Sequence, residues 1–245
     1  MSAPATERTR PAPSGGERGL WVAERRTGTL QGEGPNVGEP SAFIRLSRCN
    51  LKCGYCDTPY TWDWERYDPR KESQRVSVTD LGDWALGCPE ESIFITGGET
   101  LLQQRALLPL VLRLREAGRQ VEIETNGTYL PTPELVASGV HFNVSPKLAS
   151  SSMPERLRIR PAALAALAAA PSKVFKFVAC GPQDLPEIDT LVEQHGLTPV
   201  MVMPEGRTEE AILQGMRELT PHLLKRGYRL GTRLHVLLWG DERGR

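Results

Sequence analysis

The sequence predicts an α/β protein, specifically a partial (open) β/α barrel with about six parallel strands. Strand-like runs alternate with longer helix-like runs along most of the chain, an order typical of a parallel sheet with helical crossovers. A closed eight-unit barrel takes roughly 250 residues for its repeats alone. This chain has 245 residues in all, and its first predicted strand begins only at residue 42. We therefore expect a barrel that stays open.

The predicted elements alternate in order along the chain. Strands are expected at residues 42–47, 92–96, 120–125, 141–144, 174–179 and 199–203. Helices are expected at residues 101–117, 133–138, 154–170, 186–195 and 209–226. Gly118, Gly196 and Gly227 directly follow three of these helices and are typical stop signals. Polar motifs follow most of the strands, and parallel strands bring such motifs to one edge of the sheet.

The composition is that of an ordinary globular protein. The chain has 39% hydrophobic residues, 30 basic and 30 acidic residues, which argues against nucleic acid or an acidic membrane as a partner. No apolar stretch is long enough for a bilayer span, and the N-terminus lacks the apolar middle of a secretory signal, so we expect a cytoplasmic location. Residues 1–19 are rich in Pro, Ala, Ser, Gly and Arg. They are predicted to form a disordered tail before a single domain over residues 20–245.

Three of the five cysteines form the clearest motif in the chain. Cys49, Cys53 and Cys56 have the spacing C-x3-C-x2-C directly after the first predicted strand. A tight, odd-numbered group in a cytoplasmic chain indicates a metal centre and not a disulfide framework. Three thiolates on a four-iron cluster leave one iron open, and S-adenosylmethionine (SAM) has an amine and a carboxylate that can chelate it. The alternative is a zinc site completed by a histidine, for which the candidates are His141, His195 and His235.

The cysteine motif, with Tyr55 before its third cysteine, resembles the signature of the radical SAM superfamily. The strand end Ile95-Thr96-Gly97-Gly98-Glu99 resembles the glycine-rich terminus of that superfamily, although Thr100 stands where proline is usual. The resemblance implies a 4Fe–4S cluster on the three cysteines and SAM beside it. Glycine would remove a Cβ that blocks the approach of SAM to the backbone. The residues that would bind the cofactor are Gly97, Gly98, Glu99, Asn126, Ser145 and Lys147.

A further motif precedes the cysteines. Gln31-Gly32-Glu33-Gly34 offers an amide and a carboxylate in a tight turn, which suits a heterocycle with a guanidine-like edge, as in guanine or pterin. Arg45 in the first strand offers a planar fork suited to a carboxylate. From the residues alone, a surface hairpin with a salt-bridged arginine remains the alternative.

Together with Asp57 and Thr58 after the last cysteine, these residues resemble the 7-carboxy-7-deazaguanine synthase family from about Glu24 to the C-terminus. The resemblance implies ring contraction of 6-carboxy-5,6,7,8-tetrahydropterin to 7-carboxy-7-deazaguanine with loss of ammonia, in 7-deazapurine (queuosine-type) biosynthesis. It also implies Mg2+, a flavodoxin-like electron donor and a homodimer. The implied substrate contacts are Gln31, Glu33, Arg45 and His235, and the implied Mg2+ ligand is Thr58.

Some assignments stay open at the level of sequence. Asp57 is either a second metal ligand or a residue that orients the loop, and Lys71, Trp62 and Trp64 receive no role. Two other functions are alternatives. One is another radical SAM enzyme, in particular an activase that makes a glycyl radical on a partner protein, and the other is a metal-stabilised binding module without catalysis.

Overall fold

The computed structural model describes residues 19–240 and 242–244. Within these residues the chain forms one nine-stranded sheet with the order β3-β1-β2-β4-β5-β6-β7-β8-β9. From β2 through β4 to β9 all neighbouring strands are parallel, whereas β1 is antiparallel to both β2 and β3. The strands are β1 (Gly19–Leu30), β2 (Pro40–Leu46), β3 (Gln74–Ser77), β4 (Ser92–Gly97), β5 (Gln120–Thr125), β6 (His141–Val144), β7 (Lys173–Ala179), β8 (Val200–Pro204) and β9 (Arg229–Leu230).

Helices connect the parallel strands. They are α1 (Pro69–Glu72), α2 (Val78–Gly87), α3 (Gln104–Glu116), α4 (Pro133–Ala137), α5 (Glu155–Arg158), α6 (Pro161–Ala168), α7 (Leu185–His195), α8 (Glu209–Arg226) and α9 (Leu234–Trp239). Short 3-10 turns lie at Pro59–Thr61, Thr100–Gln103, Ala149–Ser151 and Pro182–Asp184. Among the described residues, no helix combines the length and the apolar character needed to cross a membrane.

The two faces of the sheet differ in chemistry, because successive strand residues point to opposite sides. One face packs under the helices and belongs to the apolar core, as Ile44 of β2, Ile123 of β5 and Phe175 of β7 show. Arg45 and Lys176, each the next residue along its strand, instead line a cavity on the other face. The inner face of the barrel is therefore polar, and this arrangement positions the site described below.

The predicted open barrel with about six parallel strands is confirmed. The predicted helix over residues 154–170 is instead two helices, α5 and α6. Pro161 starts the second helix. A proline disfavours the helical conformation of the residue before it, so Arg160 is extended. Strands β1, β3 and β9 and helices α1, α2 and α9 were not predicted. The predicted tail over residues 1–19 lies outside the described residues except for Gly19, which is the first residue of β1.

Candidate active site

A cavity of about 470 Å³ opens at the carboxyl ends of the parallel strands. The polar motifs predicted from the sequence meet there, because parallel strands end at a common edge. Nearly all predicted site residues line it: Gln31, Glu33, Arg45, Cys49, Cys53, Cys56, Thr58, Gly97, Gly98, Asn126, Ser145, Lys147 and His235. Glu99 is absent from the lining.

The cysteine loop follows β2 and forms one wall of the cavity. Its three thiols are free and partly exposed. The backbone N–H of Leu51 donates to Cys49 Sγ at 3.4 Å, and Trp62 Nε1 donates to Cys56 Sγ at 3.3 Å. Such donors stabilise a thiolate. Burial raises the pKa of Cys49 to about 12 despite the Leu51 hydrogen bond, so iron binding at this thiol must displace a proton.

The donor set fits a cluster that takes its ligands from three cysteines. Of the histidines considered as a fourth zinc ligand, His235 lines the cavity, whereas His141 and His195 do not. His141 bonds Ser172 Oγ at 2.9 Å, and His195 ends α7. In the described ranges, no three His, Cys, Asp or Glu side chains are grouped as ligands of a single metal ion.

The glycines at the end of β4 support the cysteine loop. Gly98 N–H donates to Leu46 O at 3.2 Å, and Glu99 N–H donates to Arg48 O at 2.9 Å. A Cβ on Gly97 would lie 2.2 Å from Leu46 O, and one on Gly98 would lie 2.2 Å from Arg48 O. From the sequence, these glycines were expected to leave space for a ligand close to the backbone. In the structure the backbone that leads into the cysteine loop occupies that space.

Glu99 differs from the other predicted cofactor residues, because its side chain is buried and does not line the cavity. It accepts hydrogen bonds from the backbone of Leu101 at 2.8 Å and Asn126 at 2.7 Å, and from Thr125 Oγ1 at 2.7 Å. Burial raises the pKa of Glu99, and these hydrogen bonds oppose that shift. Its side chain therefore fixes the strand ends that line the cavity, and its contact with the cofactor stays a prediction.

The other predicted cofactor residues line the cavity as expected. Lys147 Nζ donates to Ser145 Oγ at 2.9 Å, which places a cation and a hydroxyl side by side at the end of β6. Asn126 donates from Nδ2 to Asn50 Oδ1 at 3.0 Å, and Asn50 lies inside the cysteine loop. The structure thus connects the ends of β5 and β6 with the wall that holds the cysteines.

Gln31 lines the cavity but uses its amide within the protein. Its Nε2 donates to Glu122 Oε2 at 2.8 Å, and its Oε1 accepts from Glu33 N at 3.3 Å. Glu122 is buried in β5 and also accepts from Asn36 Nδ2 at 2.5 Å and Asn143 Nδ2 at 2.6 Å. These bonds fix the shape of the loop after β1, which places Glu33 in the cavity.

Glu33 lies in a buried network of charges. It forms ion pairs with Lys176 and, at 3.1 Å, with Arg233 Nε. Lys176 Nζ also pairs with Glu124 Oε1 at 2.8 Å, and Arg233 also pairs with Asp57. Burial disfavours the charged form of Glu33, but the two cations outweigh it and hold the pKa of Glu33 well below its usual range. Asp57 thus has a cation as its partner.

Lys176, Glu124 and Arg233 were missed at the level of sequence. All three line the cavity. The available signal was the placement of Lys176 between Phe175 and Phe177, inside a strand that is apolar after its first residue, because strands buried on both faces are normally continuous apolar runs. Arg233 offered no comparable signal, since it lies between two short elements that were not predicted.

Arg45 forms a salt bridge and also lines the cavity. It therefore agrees in part with both interpretations of the sequence, the carboxylate-binding arginine and the salt-bridged arginine. Its Nε donates to Glu24 Oε1 at 2.6 Å, and Tyr60 Oη donates to the same oxygen at 2.5 Å. Glu24 and Arg45 face each other across the β1–β2 ladder. Burial disfavours the charged form of Arg45, but Tyr60 and Glu24 outweigh it and raise the pKa of this guanidinium, so it stays charged.

Thr58 and His235, the remaining predicted site residues, lie in different parts of the cavity wall. Thr58 precedes the 3-10 turn, and its Oγ1 lies 3.8 Å from Cys56 Sγ. His235 on α9 lies against Gly32, where a Cβ would be 2.2 Å from the imidazole Nδ1. Burial lowers the pKa of His235, which favours the neutral ring. Trp62 lines the cavity, whereas Lys71 and Trp64 do not.

Residues near the C-terminus, to which no role was assigned from the sequence, also reach the cavity. Glu242, Arg243 and Gly244 line it. Arg243 Nη2 pairs with Glu72 Oε2 at 2.7 Å, and its guanidinium lies 3.8 Å from the centre of the Tyr60 ring.

Comparison with known proteins decides the family. Residues 43–187 match the radical SAM superfamily. The 7-carboxy-7-deazaguanine synthase of Pyrobaculum aerophilum is 34% identical over 221 residues, which cover 89% of this chain and 94% of that protein. The chain belongs to the 7-carboxy-7-deazaguanine synthase family. The synthase of Rhodopirellula baltica is also 34% identical, over 93% of this chain and 90% of that protein. The crystal structure of QueE from Escherichia coli superposes with a TM-score of 0.65 at 27% identity, covering 87% of this chain and 93% of that one.

Membership confirms the predicted activity class and cofactors. A 7-carboxy-7-deazaguanine synthase is a radical SAM enzyme of 7-deazapurine biosynthesis that works with a 4Fe–4S cluster and SAM, and the family implies Mg2+ as well. The glycyl-radical activase and the non-catalytic binding module are not supported. The cavity at the strand ends is the place in this fold where the predicted cluster, cofactor and substrate residues meet.

Proposed function

We propose that this cavity binds 6-carboxy-5,6,7,8-tetrahydropterin and contracts its ring to 7-carboxy-7-deazaguanine with release of ammonia. The observation that carries the proposal is the distribution of charge in the cavity. The carboxylates of Glu33 and Glu124 and the guanidinium of Arg45 line the same space. Carboxylates accept hydrogen bonds from an amino-substituted heterocycle edge, and a guanidinium binds a carboxylate. A carboxypterin has both an edge and a group of these kinds.

The cofactors have residues that suit them. Cys49, Cys53 and Cys56 would hold the 4Fe–4S cluster, and Thr58 would supply an oxygen ligand to Mg2+, a hard cation. When bound, the cluster and SAM supply the one-electron chemistry that starts the rearrangement. SAM would lie against Gly97 and Gly98 together with Asn126, Ser145 and Lys147.

The contribution of the chain is to position the reactants. Arg45 is held by Glu24, so its orientation is set before a substrate arrives. Glu33 is ionised and fixed by two cations. The neutral ring of His235 lies over the Gly32 loop. Such preorganisation lowers the entropic cost of reaching the reactive geometry.

The supply of electrons and the assembly state belong to the same proposal. We propose a flavodoxin-like donor, a homodimer and a cytoplasmic location. Lys52 and Gly54 are exposed on either side of Cys53, which supports access of an electron donor to the cluster loop.

An anaerobic assay tests the proposed function. The protein is reconstituted with iron and sulfide, reduced with dithionite and given SAM, Mg2+ and 6-carboxytetrahydropterin. We expect mass spectrometry to show 7-carboxy-7-deazaguanine. The matched variant Cys53→Ala should bind no cluster and form no product, whereas Thr58→Ala should keep the cluster and lose its dependence on Mg2+. Cleavage of SAM without formation of the product would contradict the proposed substrate and leave the radical SAM assignment intact.

A further inference from the structure

Lys176 is the most unusual side chain in the barrel. It lies in the middle of β7, and only 3% of its side chain is exposed. Its neighbours Phe175 and Phe177 belong to the apolar core on the helical side of the sheet. Burying an ammonium group is costly unless ion pairs and hydrogen bonds compensate for the lost water. The position of Lys176 therefore depends on what it contacts.

The ammonium of Lys176 lies between two carboxylates that line the cavity. Its Nζ donates to Glu124 Oε1 at 2.8 Å and also to Glu33. The other oxygen of Glu124 accepts from Thr96 Oγ1 at 2.6 Å, and the other oxygen of Glu33 accepts from Arg233 Nε at 3.1 Å. One cation from β7 thus connects an acidic residue of β5 with one of the loop after β1.

We propose that Lys176 is a positioning residue that holds Glu33 and Glu124 together as ionised hydrogen-bond acceptors, and that it thereby makes the cavity select a heterocycle edge with N–H donors over one with a carbonyl oxygen. This inference rests on the proposed function and deepens it by assigning the origin of its substrate specificity. Lys176 acts through the two carboxylates and needs no contact with the substrate.

The charges around Glu33 support this role. Besides Lys176, it faces Arg233 and His235 from the C-terminal segment, and the negative charge of Asp57. Burial opposes ionisation of Glu33, and Lys176 is the largest influence that lowers its pKa. Without the ammonium, the partly buried carboxylates of Glu33 and Glu124 would repel each other, and Glu33 would bind a proton more readily even though Arg233 still pairs with it. A protonated carboxyl group donates a hydrogen bond and no longer presents only acceptors to an N–H edge.

The test compares binding of two ligands that differ at one position. Fluorescence titration of the reconstituted, unreduced enzyme with SAM bound gives Kd values for 6-carboxypterin and for 6-carboxylumazine, which has an oxo group in place of the 2-amino group. The wild type should prefer the pterin. In Lys176→Met the preference should fall by about tenfold, the effect of one lost charge-assisted hydrogen bond. Lys173→Met is the matched control, because Lys173 begins the same strand and does not line the cavity.

The dependence of pterin binding on pH separates this role from a merely structural one. Removing the cation raises the pKa of Glu33, so the acidic limit of binding in Lys176→Met should move to higher pH. Glu124→Gln keeps the ion pair between Lys176 and Glu33 and removes one of the two carboxylate acceptors, so it should lower the preference for the pterin. Iron content at each pH verifies that the cluster is intact.

The outcomes distinguish the inference from the function on which it rests. An intact Lys176→Met variant with unchanged preference and unchanged acidic limit would overturn the role of Lys176. If that variant fails to assemble its cluster, Glu124→Gln decides: a lowered preference for the pterin supports the role and an unchanged preference overturns it. A wild type that binds neither ligand would overturn the proposed substrate, and the inference with it.

Discussion

At the scale of single residues, the cysteine loop depends on the residues that pack against it as well as on its three cysteines. The backbone before the cysteine loop approaches the end of β4 so closely that no Cβ fits between them. Gly98 meets the carbonyl of Arg48, and Gly97 meets the carbonyl of Leu46. The loop that carries the iron ligands therefore depends on glycine at two positions of a neighbouring strand.

Gly98→Ala tests this dependence. The added Cβ would lie 2.2 Å from Arg48 O, which is backbone and has little freedom to move. We expect a loss of stability of about 1–3 kcal/mol, as for other overpacked sites, and a lower iron content after reconstitution. Gly87→Ala is the control, because nothing lies within 4 Å of its added Cβ. It should be neutral or stabilising by about 0.5–1 kcal/mol, since alanine favours the helical conformation. Equal iron content and equal melting temperatures for Gly98→Ala and the wild type would contradict the argument.

The predictability of the site also differs from residue to residue. The cysteines, the Gly-Gly-Glu strand end and the Gln-Gly-Glu-Gly turn are local motifs, so their role is visible in a short stretch of sequence. Lys176 and Arg233 act through partners far away in the chain, at 143 and 200 residues' separation from Glu33. Only the fold brings these charges together, and no local pattern specifies which carboxylate a buried cation will meet.

At the scale of elements, the central parallel strands were predictable from the sequence, whereas the strands at the edges of the sheet and the last helix were not. The strands β2 and β4 to β8 are largely apolar runs of ordinary length between turn signals. In contrast, β1 contains Glu24, Arg25 and Arg26 and much of it is only partly buried, so it lacks the clean alternation of a half-buried strand. Helix α9 has only 6 residues, too few for a helical period to be visible. These two elements nevertheless complete the cavity.

The docking of α9 gives a prediction at this scale. Leu234 N–H donates to Gly32 O at 2.8 Å, and a Cβ on Gly32 would collide with the His235 ring. We expect Gly32→Ala to displace α9, lower the melting temperature and weaken substrate binding while the cluster content is unchanged. In the double variant Gly32→Ala/His235→Ala the collision is removed, so its melting temperature should exceed that expected from adding the two single effects. Strict additivity would show that the ring and the added methyl group do not meet.

At the scale of the whole molecule, the sheet does not close by hydrogen bonds between strands, but the ion pairs and the hydrogen bond of one arginine link segments near both of its ends. Arg233, which precedes α9, pairs with Glu33 before β2 and with Asp57 in the cysteine loop. Its Nη1 also donates to Gly206 O, after β8, at 2.6 Å. The first and last parts of the parallel sheet are not hydrogen-bonded to each other. This single guanidinium bridges segments that flank both.

Arg233→Met should therefore destabilise the protein far more than removal of an exposed arginine. Only 8% of the Arg233 side chain and 17% of the Glu33 side chain are exposed, so the loss of Arg233 leaves the Glu33 carboxylate with less compensation in a largely buried site. Breaking a buried pair in this way costs about 3–5 kcal/mol. Arg70 pairs with Asp68 at 3.0 Å, but 88% of its side chain is exposed, so Arg70→Met should have little effect. Anaerobic urea denaturation of the reconstituted variants measures both changes. If the midpoints of the two variants fell equally far below that of the wild type, the bridge through Arg233 would be no stronger than a surface ion pair, and the connection of the open barrel would have to lie elsewhere.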